Sequence, residues 1–277
     1  MKLDAHQHFW CYNQREYGWI GDEMAALRRD FLPADLAREQ LPLGFDGSIA
    51  VQARQSVAET EWLLQLAEEN KRLHAVVGWL DLCSPELPAQ LERFAPHPKL
   101  CGVRHVVQDE PDDQFMLRED FLRGIAQLQQ WKLSYDILIF PRHLPIAGEL
   151  VSRFPEQAFV LNHLAKPSVR QGELEPWRTD MRALASHPNV CCKASGLMTE
   201  ADWNNWRAAD FRPYLEIAFE AFGIERIMIG SDWPVCTLAV SYAETVGLVI
   251  EYLRDLSLSE QDLVLGKNAQ TWYGVRA

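Results

Sequence analysis

Two histidines two residues apart, His6 and His8, close the short apolar run that opens the chain, Leu3-Asp4-Ala5-His6-Gln7-His8-Phe9-Trp10. In an extended strand, side chains at i and i+2 share a face, so this spacing aims both imidazoles at whatever borders the strand end. On a frayed amino terminus such a pair does nothing, so partners elsewhere must decide its meaning. Two candidates stand at comparable places: His163 just after Ala158-Phe159-Val160-Leu161-Asn162, and Asp232 just after Arg226-Ile227-Met228-Ile229-Gly230. Singly, each has a plain structural use, His163 as a hydrogen-bonded core histidine and Asp232 as a helix cap in a turn-rich stretch. Together they form a set of imidazoles and a carboxylate suited to proton transfer, provided that the fold brings them to one place.

The elements that must do so recur regularly. Apolar, β-branched runs alternate with segments of helical periodicity, the pattern of βα units around a parallel sheet. Eight runs can be counted: 2–5, 47–51, 73–79, 100–104, 134–138, 158–162, 190–194 and 226–230. Between them, Ala58 to Asn70, Arg118 to Gln130 and Arg212 to Phe222 place apolar residues three and four apart, as amphipathic helices of an outer ring do. The spacing predicts a single-domain (β/α)8 TIM barrel over residues 1–277, whose closure sets the first and eighth strands side by side. His6, His8 and Asp232 then meet. The longest insertions, Phe9 to Leu43 with Trp10, Tyr12, Tyr17 and Trp19, and Gly196 to Phe211 with Trp203 and Trp206, fall over the carboxyl face and could wall a pocket there.

Composition bounds the partners. With 27 basic against 39 acidic residues and a net charge of −12, no basic run offers itself to nucleic acid or to an anionic membrane. No stretch reaches the roughly 20 apolar residues of a membrane span, and polar Asp4, His6 and Gln7 stand where a signal peptide would be apolar. A soluble, cytoplasmic protein is expected. The six cysteines show no Cys-x-x-Cys spacing and read as reduced core residues, without a structural zinc site.

The strand ends carry polar residues that a core does not need. Gln52 and Arg54 follow the second strand, Arg104-His105 end the fourth, and Tyr135-Asp136 lie in the fifth. Asn162, His163 and Lys166 follow the sixth, Lys193 and Ser195 lie in or after the seventh, and Ser231-Asp232-Trp233-Pro234 follow the eighth. Arg104 and Lys193 could also serve as structural ion pairs. Tyr135 and Asp136 cannot both point inward, since strand neighbours face opposite sides.

With these residues in view the chain resembles the amidohydrolase superfamily, whose barrels use a His-x-His on strand one, a histidine on strand six and an aspartate on strand eight. Gly102-Val103-Arg104-His105, Asn162-His163-Leu164-Ala165-Lys166-Pro167, Lys193-Ala194-Ser195-Gly196-Leu197 and Ile229-Gly230-Ser231-Asp232-Trp233-Pro234 resemble more narrowly its sugar-lactonase branch. That resemblance implies hydrolysis of an aldono-1,4- or 1,5-lactone to its acid. Asp232 would take a proton from water, His6 and His8 would orient that water or hold a metal, and His163 would donate toward the lactone. Gln52, Arg54, Arg104, His105, Tyr135 and Trp233 are the candidates for holding substrate. Rival readings are a metal-dependent decarboxylase or amide hydrolase on the same barrel, and a non-catalytic binder of sugar acids.

The superfamily's metal sites usually add a histidine or bridging lysine from the middle strands, where this chain has Arg104 and Tyr135-Asp136. A cationic Arg104 also opposes a divalent ion. Catalysis without a required cofactor is therefore expected, with one zinc on His6, His8, His163 and Asp232 as the alternative. The sugar and the oligomeric state are not read from the sequence.

Overall fold

Short runs of branched residues, each buried along its whole length or nearly so, make the strands of a parallel barrel. The computed structural model describes residues 1–275. Its strands are β1 (Leu3–Gln7), β2 (Gly47–Val51), β3 (Leu73–Gly78), β4 (Leu100–His105), β5 (Ser134–Ile137), β6 (Phe159–Leu161), β7 (Val190–Ala194) and β8 (Ile227–Ile229). Each pairs in parallel with the next in sequence. The expected (β/α)8 barrel is the fold observed. The helix Ala208–Phe222 starts before the expected Arg212, because Asp210 accepts the Arg207 backbone N–H at 2.8 Å and caps it there.

The ring closes just beyond the ends of β1 and β8. Gln7 bridges Trp233 in parallel, the His8 N–H donates to Trp233 O at 2.7 Å, and the Asp232 N–H donates to His6 O at 2.8 Å. A side chain secures this seam from below. The buried Asp4 carboxylate accepts the Ser231 N–H at 2.9 Å and the Ser231 hydroxyl at 2.6 Å.

Two apolar layers follow from the alternation of strand residues. Leu3, Ala5, Val51, Val77, Val160 and Met228 belong to the inner one, which Ala269 and Tyr273 of the final helix (Asn268–Tyr273) close at the bottom. The outer layer packs strands against helices, as where Glu119–Leu128 buries Phe121, Gly124, Ile125 and Leu128 at three- and four-residue spacing. All six cysteines are free, and Cys101, Cys191, Cys192 and Cys236 are buried. Among the described residues no helix is long and apolar enough to cross a membrane.

One buried acid shapes the rim. Glu59, on the helix Val57–Glu69 that follows β2, accepts the backbone N–H groups of Ala53 and Arg54 at 3.2 and 2.8 Å. Burial outweighs these donors and pushes its carboxyl up to about 7. The folded state therefore holds the proton more tightly than the unfolded chain does. Stability is full below the unfolded value near 4.5 and declines as pH rises to about 7. Glu59→Gln is expected to flatten that slope, which corresponds to about 3 kcal/mol across the window. Urea unfolding at pH 4.5, 6 and 8 measures it; an unchanged slope in the variant contradicts the assignment.

Candidate active site

The His-x-His pair lies where the chain leaves β1, and both rings are buried against β8. His8 Nδ1–H donates to Val51 O at 2.7 Å, which leaves the Nε2 lone pair facing Asp232 Oδ1 at 3.3 Å. His6 Nε2 and His163 Nε2 approach the same oxygen at 3.7 and 3.6 Å. Burial, reinforced for His6 by the Lys193 and His163 charges, holds its imidazole well below the ordinary value. Burial likewise lowers His8, and brings His163 down to about 3 despite the attraction of Asp232. Burial works to raise the Asp232 carboxyl, but the field of His163, with those of His8 and Lys166, overcomes it and brings the group to about 2. At neutral pH this is one carboxylate among neutral imidazoles.

The backbone that presents these groups is unusual. His163, Leu164, Ala165 and Lys166 have φ of 54, 51, 58 and 52°, four successive residues in the left-handed region, and Asp232 has φ 58°. Non-glycine residues pay for such geometry at roughly 1–2 kcal/mol each. Gly196 makes room for the turn. A Cβ there would sit 2.4 Å from His163 Nδ1, and its own φ of +66° disfavours any side chain. Gly230 does the same for β1, since a Cβ would lie 2.7 Å from that of His6. His163 Nδ1 is paired with Ser195 Oγ at 2.9 Å.

Charged groups from the middle strands lie beside and below the imidazoles. Arg104 Nη1 is 3.3 Å from His6 Nε2 and donates to Asn162 Oδ1 at 3.2 Å, while Nη2 donates to Gln52 O and, at 2.9 Å, to Gln52 Oε1. Deeper in the barrel Lys193 Nζ donates to Asp136 Oδ2 at 2.7 Å and lies 3.4 Å from His6 Nδ1. Asp136 also accepts from Asn162 Nδ2 at 2.9 Å and from the Tyr273 hydroxyl at 2.8 Å. Above these groups opens a cavity of about 270 Å³, lined among others by His8, Arg104, His163, Asp232, Trp19 and Trp203.

The fold thus gathers His6, His8, His163, Asp232, Arg104 and Gln52. The other four candidates stand apart. Tyr135 is fully buried on the opposite side of β5 from Asp136, edge-on to Phe121 and Phe159 with ring centroids 5.5 and 6.3 Å away. Strand alternation gave the inward place to its neighbour. His105 stacks on Phe115 at 4.7 Å and pairs with Glu110 at 2.7 Å, and Arg54 turns outward to Glu16 at 2.7 Å. Trp233 is buried between Phe9 and Phe31, where it anchors the peptide carrying Asp232. Of the loop aromatics, Trp19 and Trp203 reach the cavity, whereas Trp10 and Tyr17 fill the core. Asp109 and Glu200, which the sequence reading did not single out, also line it. Neither sits in an apolar run, and only the folded loops reveal them.

Donor atoms of His6, His8 and Asp232 lie within 4.8 Å of one another, all three residues buried. Neutral imidazoles, one with Nδ1 already committed, and an ionised carboxylate form a set suited to a divalent ion such as zinc. An eight-stranded parallel barrel with a His-His-Asp donor set at its carboxyl mouth is the class of protein that this fold and site define. The chain belongs to the amidohydrolase family, whose profile matches residues 3–275. It is 42% identical to an L-fucono-1,5-lactonase of Burkholderia multivorans over 99% of this chain and 96% of that protein. A second L-fucono-1,5-lactonase, from Burkholderia ambifaria, is 37% identical over 88% and 83%. The crystal structure of an amidohydrolase from Burkholderia multivorans with bound zinc matches with a TM-score of 0.96 and 42% identity, covering all of both chains.

These findings correct the expectation that no metal is required. A closely similar barrel holds zinc, and the His6, His8 and Asp232 donors converge here. The missing middle-strand ligand does not prevent metal binding, because a single zinc needs only three protein ligands. The opposing charge of Arg104 is held in place by Gln52 and Asn162. Zinc added to metal-stripped protein is expected to raise Tm by several degrees, with about one ion retained per chain on elemental analysis. His8→Ala is expected to lose both effects; a zinc response equal to that of the parent would remove His8 from the site.

Proposed function

We propose that this chain hydrolyses a sugar lactone to its aldonic acid, with L-fucono-1,5-lactone the first substrate to test. The observation that carries this reading is one cavity that holds both an ionised Asp232 and the guanidinium of Arg104. Similarity to lactonases supplies the substrate class. Six free cysteines suit a reducing compartment, which supports work in the cytoplasm.

Hydrolysis of a lactone requires water to attack the carbonyl carbon, negative charge to collect on the carbonyl oxygen, and the ring oxygen to leave with a proton. Asp232 takes the proton from water as the new C–O bond forms, and returns it to the ring oxygen as the old one breaks. Arg104, fixed by Gln52 and Asn162 and facing the same cavity, stabilises the charge on the carbonyl oxygen. His163 Nδ1 lies 2.9 Å from Ser195 Oγ; with the hydroxyl as donor, the imidazole presents an Nε2–H that can be donated to substrate. When bound, a divalent ion on His6, His8 and Asp232 supplies Lewis-acid polarisation.

A pH-indicator screen of aldonolactones tests the assignment, since each ring opened at neutral pH releases a proton. Turnover of at least one member is the expected result. Absence of turnover across the panel, with zinc supplied, overturns it.

A further inference from the structure

The cavity over Asp232 has a neighbour. A second chamber of about 660 Å³ opens beside it, and Lys166, Thr199, Glu200 and Trp203 line both. Two charged groups therefore stand in the partition. Lys166 Nζ and Glu200 Oε1 are 3.8 Å apart, too far for a hydrogen bond, with side chains 20% and 23% exposed. Neither charged group has a hydrogen-bond partner among the described residues. Lys166 Nζ also lies 5.6 Å from the Phe140 ring, and its charge reaches Asp232 and His163.

That condition sets the pair apart from the buried charges of the site. Arg104 is bonded to Gln52 and Asn162, Lys193 to Asp136, and Asp232 lies against His6, His8 and His163. A mostly buried carboxylate without hydrogen-bond donors is costly to desolvate: burial raises the Glu200 carboxyl, and the Lys166 charge offsets this only in part. Both side chains are anchored at their backbones, Lys166 by its N–H on His163 O at 2.7 Å and Glu200 by its N–H on Leu197 O at 3.2 Å. Their free hydrogen-bonding capacity is directed at the two chambers. A carboxylate that needs donors and an ammonium that needs an acceptor are jointly satisfied by an alcohol, which offers one O–H and an oxygen lone pair.

We propose that Glu200 and Lys166 read a ring hydroxyl of the lactone. The carboxylate accepts from its O–H, the ammonium donates to its oxygen, and together they set a preference for hydroxylated over plain lactones. The inference rests on the lactonase reading above and adds specificity-determining residues to it.

The test compares kcat/KM for L-fucono-1,5-lactone and for δ-valerolactone, which lacks ring hydroxyls, in the parent, Glu200→Gln, Lys166→Gln and the double variant. The ratio of the two constants is expected to fall about a hundredfold in each single variant, because a site built to bond a hydroxyl loses its advantage when one partner goes. The double variant is expected to lose little more than the worse single one, since both groups serve one hydroxyl. Ratios within threefold of the parent in folded variants overturn the proposal, as does a double variant whose losses multiply. If either substitution prevents folding, Glu200→Asp, which retracts the charge by one methylene, is expected to lower the ratio in the same direction. A parent that opens no lactone fails the functional reading itself, whereas a parent that opens the sugar lactone with unchanged variant ratios fails only this inference.

Discussion

Asp232→Asn is expected to lower kcat for lactone opening by about a thousandfold or more while leaving the fold intact. Retention of the fold follows from the backbone. Asp232 has φ 58°, and asparagine is the residue that replaces aspartate in the left-handed region at least cost. Its main-chain bonds survive as well, the N–H on His6 O at 2.8 Å and the carbonyl accepting Cys236 N–H at 2.9 Å. What disappears is the one anionic oxygen that His6, His8 and His163 face together. An amide can neither take a proton from water nor return it to a leaving alkoxide. Steady-state kinetics and circular dichroism on the same sample decide the matter. Near-normal turnover in a folded variant would sink the role given to Asp232.

Lys193→Met is expected to cost about 3–5 kcal/mol of folding stability, the usual consequence of removing one member of a buried ion pair. Lys193 and Asp136 are fully buried, 2.7 Å apart, and the Asp136 carboxylate would keep only the neutral donors Asn162 and Tyr273. The double variant Lys193→Met/Asp136→Leu is expected to recover much of the loss, because no charge then remains without a counterion. Urea unfolding of the two variants reads the difference. A single variant within 1 kcal/mol of the parent would mean that Arg104, reached through Asn162, already balances Asp136.

The barrel was legible because its strands are runs of branched residues between helices of clear period. Val190–Ala194 and Gly47–Val51 coincide with the runs read from sequence. The meeting of His6, His8 and Asp232 was legible for the same reason, since closure of the ring leaves strands one and eight no other arrangement. Side-chain direction at the middle strands was not. Tyr135 and Asp136 differ only in which side of β5 they face, and that choice was settled by Phe121 and Phe159 on one side and Lys193 on the other. His105 and Arg54 were drawn away by Glu110 and Glu16, partners in loops whose course no periodicity records. Glu200 was hidden likewise, in a loop residue with no pattern around it.

Tyr273, described above as the floor of the inner layer, reaches Asp136 from the helix Asn268–Tyr273, while His6 and His8 come from the opening strand. The reacting groups and their support are thus drawn from opposite ends of the fold. During synthesis the first strand waits, its imidazoles without their carboxylate, until β8 has left the ribosome, and the Asp136 cluster waits longer still for its tyrosine. A nascent chain halted before residue 273 carries most of the barrel but lacks that floor. The carboxylate of Asp232 thus completes the reacting set first, and Tyr273 closes its support only afterwards.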